Sequence, residues 1–128
     1  MSKRTSIGSW AFTIGPYASN PIDFETVCDK LKELGFDGVE LGAFPPHPNP
    51  GNPAGSNENW PGAMPERSQR EELKARMAER GLGFSGIAAN LWGEKLINTD
   101  DQSKYVEEFR KNSEFARDLG IQTIRVDT

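Results

Sequence analysis

The sequence predicts an α/β protein with the architecture of a partial (β/α)8 barrel, four parallel strands and three helices forming a half barrel. Three observations predict it. Short apolar runs alternate with amphipathic stretches in the order β-α-β-α-β-α-β, and that order implies a parallel sheet with right-handed crossovers. Gly35, Gly81 and Gly120 each end a helical pattern just before the next apolar run, so the turns from helix to strand are short. The segments after the strands are long, as in folds whose sites are built from the loops at the carboxyl ends of the strands.

The first strand is expected over residues 6–14, where Ile7, Trp10, Phe12 and Ile14 lie among small residues and Gly15-Pro16 stops the run. Asp23 then offers a carboxylate to the free N–H groups of a helix over 24–34, whose Phe24, Val27, Leu31 and Leu34 share one face. Gly38-Val39-Glu40-Leu41-Gly42 is the second strand. A loop from Phe44 to Arg67 follows, with Pro45, Pro46, Pro48, Pro50, Pro53, Pro61 and Pro65. That composition supports neither helix nor sheet, and so long a loop in a compact domain is often functional. Ser68-Gln69-Arg70-Glu71 reads as a capping box. The second helix runs from it to Arg80, with Leu73 and Met77 inward and Glu72 paired to Arg76. The third strand spans Gly83 to Leu91 and a second loop spans 92–101. The third helix covers 102–119, with Tyr105, Phe109, Asn112, Ala116 and Leu119 as its inner stripe and Phe115 alongside. Ile121 to Val126 is the fourth strand. The carboxylates Glu71, Glu72, Glu79, Glu107 and Glu108 are expected on solvated outer faces.

The totals bound the function. The 128 residues suffice for one domain, 1–128, and a formal charge of −4 without a Lys/Arg cluster argues against nucleic acid as a partner. No stretch approaches the ~20 apolar residues of a membrane span, and residues 2–12 are too polar for a signal peptide, so a cytoplasmic protein is expected. Cys28 is the single cysteine and lies on the first helical pattern, which excludes an intrachain disulfide and suits a small buried hydrophobe. The first strand-to-helix turn, Ile14 to Asn20, carries no glycine-rich phosphate cradle, which disfavours an open dinucleotide-binding sheet.

Strand 1 with Trp10 and Phe12, then Leu34-Gly35-Phe36-Asp37-Gly38-Val39-Glu40-Leu41, then Leu119-Gly120-Ile121-Gln122-Thr123-Ile124-Arg125-Val126, resembles the xylose-isomerase-like TIM barrels over about residues 6–127. That superfamily includes sugar-phosphate isomerases and epimerases, inosose dehydratases and type IV apurinic endonucleases. The resemblance implies a divalent metal (Mn, Mg, Co or Zn) held by Glu, Asp, His and Glu on later strands of the full-length family. Those positions lie beyond Thr128, so no metal ligand and no catalytic residue is carried over to this chain. The endonuclease branch binds zinc through a histidine on strand 2 and another on strand 3. Here strand 3 ends Ala89-Asn90-Leu91-Trp92 without one. A complete barrel needs ~250 residues, so the chain reads as truncated after strand 4, with two open edges. Self-association, or pairing with a missing C-terminal half, is expected.

Candidate substrate-binding residues follow from strand parity and from position near strand ends. Glu40 lies between Val39 and Leu41 and is expected to point into the barrel, as is Arg125 between Ile124 and Val126. Alternate strands share an interior layer, so the two are expected to meet as an interior ion pair whose disruption costs ~3–5 kcal/mol. The pair is either structural or in contact with substrate. His47, the only histidine, lies in the long loop as a solvated residue, a substrate-binding group or, least favoured, a metal ligand. Trp10, Phe12, Asn90, Trp92 and Asp127 lie near strand ends. Aromatic faces with a few fixed polar groups suit a sugar, although core packing explains the aromatics equally well. Trp60 is a candidate lid. The resemblance implies a metal-dependent sugar or sugar-phosphate isomerase or epimerase that transfers a proton next to a carbonyl. A cyclitol or keto-sugar dehydratase on the same scaffold and a non-catalytic half-barrel fragment are the alternatives. The expected partner is a small sugar or sugar phosphate.

Overall fold

The computed structural model describes residues 3–52 and 59–127. The strands are β1 (Ser6–Gly8), β2 (Gly38–Ala43), β3 (Gly83–Ala89) and β4 (Ile124–Arg125), and the helices are α1 (Phe24–Glu33), α2 (Arg67–Arg80) and α3 (Ser103–Asp118). All three strand pairings are parallel and the sheet order is β1-β2-β3-β4, so every strand-to-helix loop leaves from the same rim. Among the described residues no helix is long and apolar enough to cross a membrane.

The helices cover one face of the sheet. Val39, Leu41 and Ile87 are fully buried with Val27 and Leu31 of α1, Leu73 and Met77 of α2, and Phe115 and Ala116 of α3. Period-two alternation then turns Glu40 and Gly42 to the other, concave face. Glu40 lies opposite Gly8 on one side and Gly86 on the other, and Gly42 lies opposite Ala88, which in turn lies opposite Arg125. Val39 faces Phe84 while Glu40 faces Gly86, so Ser85 is an extra residue that bulges β3.

Several local expectations are corrected. β1 ends at Gly8 instead of continuing to residue 14, and residues 9–12 form a 3₁₀ turn. The Ser9 hydroxyl there accepts the Gly42 N–H at 2.9 Å, which replaces a strand carbonyl and lets the chain turn. β3 stops at Ala89, and β4 keeps only Ile124 and Arg125 of the run from 121 to 126. The capping box of α2 is Glu66 with Gln69, two residues ahead of Ser68 and Glu71. Arg76 pairs with Glu25 on α1 at 2.9 Å and not with Glu72, because α2 packs beside α1 and offers a partner across the interface. Leu34 is 61% exposed, since it lies at the C-cap where the helical face has already turned away. On α3, Phe109 faces solvent while Glu108 is buried and lies 3.5 Å from Lys111. The rest of the expected inner stripe, Tyr105, Asn112, Ala116 and Leu119 with Phe115 alongside, is buried.

The segment after β2 is tied down without regular structure. Asn49, fully buried, donates to the carbonyls of His47 (2.9 Å) and Pro61 (3.0 Å) and accepts from Gly51 N–H (3.0 Å). A single parallel bridge joins it to Ala63. Nothing in the composition marked this asparagine as the clamp that closes the two arms of the loop.

Candidate functional site

Trp10 lies on the concave face because two glycines make room for it. A Cβ added to Gly8 would come within 2.1 Å of the Trp10 Nε1, and one added to Gly42 would come within 2.8 Å of the Trp10 Cβ. The indole lies across β1 and β2, and its N–H donates to Glu40 Oε1 at 2.8 Å. Arg125 reaches the same oxygen from β4, with Nη2 at 2.9 Å. It crosses β3 to do so, over Gly86 and Ala88, which carry nothing larger than a methyl. The guanidinium carbon stands 5.6 Å from the centre of the Trp10 ring, a cation–π contact. The hydrogen bond that Arg125 donates to Glu40 holds the guanidinium above its ordinary pKa.

The expected meeting of Glu40 and Arg125 is therefore present, but the pair is not buried. Their side chains are 27% and 47% exposed, because four strands leave the concave face open. Glu40 Oε2 and the Nε and Nη1 of Arg125 have no hydrogen-bond partner among the described residues.

A second group stands on the rim. Trp92, past the end of β3, donates its indole N–H to Asp127 Oδ2 at 2.8 Å. Phe44 braces it, ring centres 5.8 Å apart, and the Tyr105 hydroxyl reaches the Asp127 carbonyl at 3.4 Å. Leu91, Trp92, Glu94 and Asp127 line a cavity of about 280 Å³. Phe44 and Tyr105 belong to this group although sequence reading did not single them out for it.

His47 stands apart from both groups. It is 1% exposed, its Nε2 lies 2.8 Å from the Ile22 carbonyl and its ring packs edge-on to Phe24. It is neither a solvated loop residue nor open to the concave face. It fastens the loop after β2 to the loop after β1, and burial lowers its pKa below 6.5. Phe12 packs against the helix-side core and against Tyr17. Asn90 is half-buried past the end of β3. Trp60 is half-buried in the returning arm of the loop, its carbonyl accepting from Ala63 N–H at 3.1 Å. Cys28 is fully buried and its thiol is pushed up to about 12, chiefly by burial.

This arrangement is a concave parallel wall whose loops gather on one rim, and the sequence matches the family described as xylose isomerase-like TIM barrel over residues 28–126. The chain belongs to that family. As a member of the xylose isomerase-like family it also matches a solved structure, the probable 3-DHS dehydratase AsbF involved in petrobactin synthesis from Bacillus anthracis. The TM-score is 0.63 at 15% identity, over 97% of this chain and 38% of that one. At that identity the likeness shows the fold alone. The chain thus spans well under half the length of this structural relative. No curated protein matches the sequence. Metal ions are common in the family, but among the described residues no three His, Cys, Asp or Glu come together. The donors among the described residues do not make up a metal site.

Proposed function

We propose that this chain supplies the substrate-binding first part of a sugar isomerase or epimerase that moves a proton next to a carbonyl. The observation that carries the reading is the placement of Glu40. One of its oxygens is fixed by Trp10 and Arg125, while the other has no partner among the described residues, on the concave face of a xylose isomerase-like wall. A carboxylate held this way can accept a substrate hydroxyl without first reorganising, and fixed geometry is what converts binding into rate.

In this reaction a base takes the proton from the carbon next to the carbonyl, and the electron pair forms an enediolate. Returning the proton to the neighbouring carbon isomerises the sugar, and returning it to the other face of the same carbon epimerises it. Glu40, Arg125 and Trp10 bind and orient the substrate, while the acid, the base and the divalent metal usual in the family belong to strands that complete the barrel. Dehydration of a keto-sugar begins with the same proton abstraction and ends with loss of the β-hydroxyl, so the products separate it from isomerisation.

The test is solvent exchange. The chain, expressed together with polypeptide that completes the barrel and supplied with Mn²⁺ or Mg²⁺, is incubated in D₂O with a panel of aldoses and ketoses. Deuterium at the carbon next to the carbonyl, with isomer or epimer formed, is expected. Absence of exchange across the panel overturns the reading. The 128-residue chain alone is expected to give no turnover with either metal.

A further inference from the structure

We propose that the Glu40–Arg125 pair reads adjacent hydroxyls of an uncharged sugar and discriminates against its phosphate ester. This deepens the function proposed above and rests on it. With Oε1 and Nη2 bonded to each other, the carboxylate oxygen Oε2 is left as an acceptor and the Nε and Nη1 of Arg125 as donors among the described residues. Neighbouring hydroxyls each donate and accept, so one can donate to Oε2 while the next accepts from the guanidinium. Trp10, packed on Gly8 and Gly42 and with Arg125 over its ring, fixes the pair from the side.

The charge count decides between a neutral sugar and a phosphorylated one. Arg125 is already engaged with Glu40, and Asp127 lies close enough to act on the same guanidinium. Two carboxylates therefore stand against one cation. A phosphate monoester brings about −1.5 to −2 charge near neutral pH, which would be set against Glu40 unless it displaced that carboxylate from Arg125. A hydroxyl pair brings no charge and uses the donors and acceptor as they stand.

The experiment uses the full ¹⁵N-labelled chain and follows the indole N–H resonances of Trp10, Trp60 and Trp92, with Trp10→Phe to assign the first. D-ribose and D-ribose 5-phosphate are the probes. D-ribose is expected to move the Trp10 resonance saturably, and D-ribose 5-phosphate is expected to bind more weakly. Glu40→Gln is expected to weaken the D-ribose response about tenfold, as for loss of a hydrogen bond to a charged group. The Trp92 resonance, set by its bond to Asp127, reports whether that variant keeps the fold, and the wild-type comparison of the two sugars decides the matter even where the variant does not. A Trp10 resonance unmoved by D-ribose, tighter binding of the phosphate, or a folded Glu40→Gln that binds D-ribose unchanged overturns the proposal. Binding without deuterium exchange in the completed barrel would remove the proposed reaction and leave this subsite, and exchange without D-ribose binding would do the reverse.

Discussion

Glu40 on β2 and Arg125 on β4 touch across an intervening strand, with Nη2 2.9 Å from Oε1 and only Gly86 and Ala88 beneath them. Strands two apart are separated by roughly 10 Å, a gap that a long arginine can close only if the strand between carries small residues on that face. The pair is half open to water, so its contribution to stability is that of a surface pair. A double-mutant cycle with Glu40→Gln and Arg125→Met, read by urea unfolding, is expected to give a coupling of about 0.2–1 kcal/mol. A coupling of several kcal/mol would show that the pair is buried in solution.

Gly8 holds the place of the Trp10 indole. In Gly8→Ala the new methyl would occupy the position of Trp10 Nε1, so the ring is expected to swing away and release Glu40. The stability cost is expected to be about 1–3 kcal/mol, as for overpacking elsewhere, with a shift in tryptophan emission and loss of the D-ribose response. Unchanged emission and binding would show that the ring is not packed there.

The ion pair between Arg70 on α2 and Asp118 on α3 is buried, with side chains 11% and 5% exposed, and Arg70 also stacks on Phe115. Asp118→Asn leaves a buried guanidinium short of its carboxylate, and a loss of about 3–5 kcal/mol in denaturant unfolding is expected. A loss below about 1 kcal/mol, the surface-pair range, would contradict the burial.

His47 makes stability depend on pH. Its folded pKa lies below the ordinary 6.5 because the ring is buried, so protonation favours the unfolded chain. Its contribution is fully present above about pH 6.5 and is lost as pH falls through the lower folded value. The melting temperature is expected to fall through this window, and His47→Gln is expected to flatten the profile. An unchanged profile in that variant would assign the titration to another group.

The open edges β1 and β4, with Val126 exposed just past the second of them, are expected to drive association. Unpaired edge strands invite partners. Sedimentation velocity at increasing concentration is expected to show species larger than the 14.2 kDa chain. A compact monomer throughout would contradict this.

The order of elements was legible in the sequence because helix stops, caps and apolar periodicity are local signals. Asp23 caps α1 through a 3.0 Å bond to Thr26 N–H, as its position suggested, and strand parity placed Glu40 and Arg125 on one face. The early end of β1 was not legible, since it depends on Ser9 meeting Gly42 thirty-three residues away. The burial of His47 was not legible either, because it requires Ile22 from the loop before α1 and Phe24 from the start of α1. Glu108 and Phe109 exchanged their expected places while the rest of the stripe kept its own, a detail of packing that a one-dimensional stripe does not record.

The claim that β2 and β4 turn Glu40 and Arg125 to one concave side is tested most directly by cross-linking. Glu40→Cys and Arg125→Cys are combined and treated with a rigid bis-maleimide matching the roughly 10 Å across two strand spacings. Cys28 stays out of the reaction, being fully buried with its thiol pushed up to about 12. Mass spectrometry of the monomer is expected to find one reagent joined at both ends within a single chain. Two separate single-ended adducts, with no internal bridge, would contradict it.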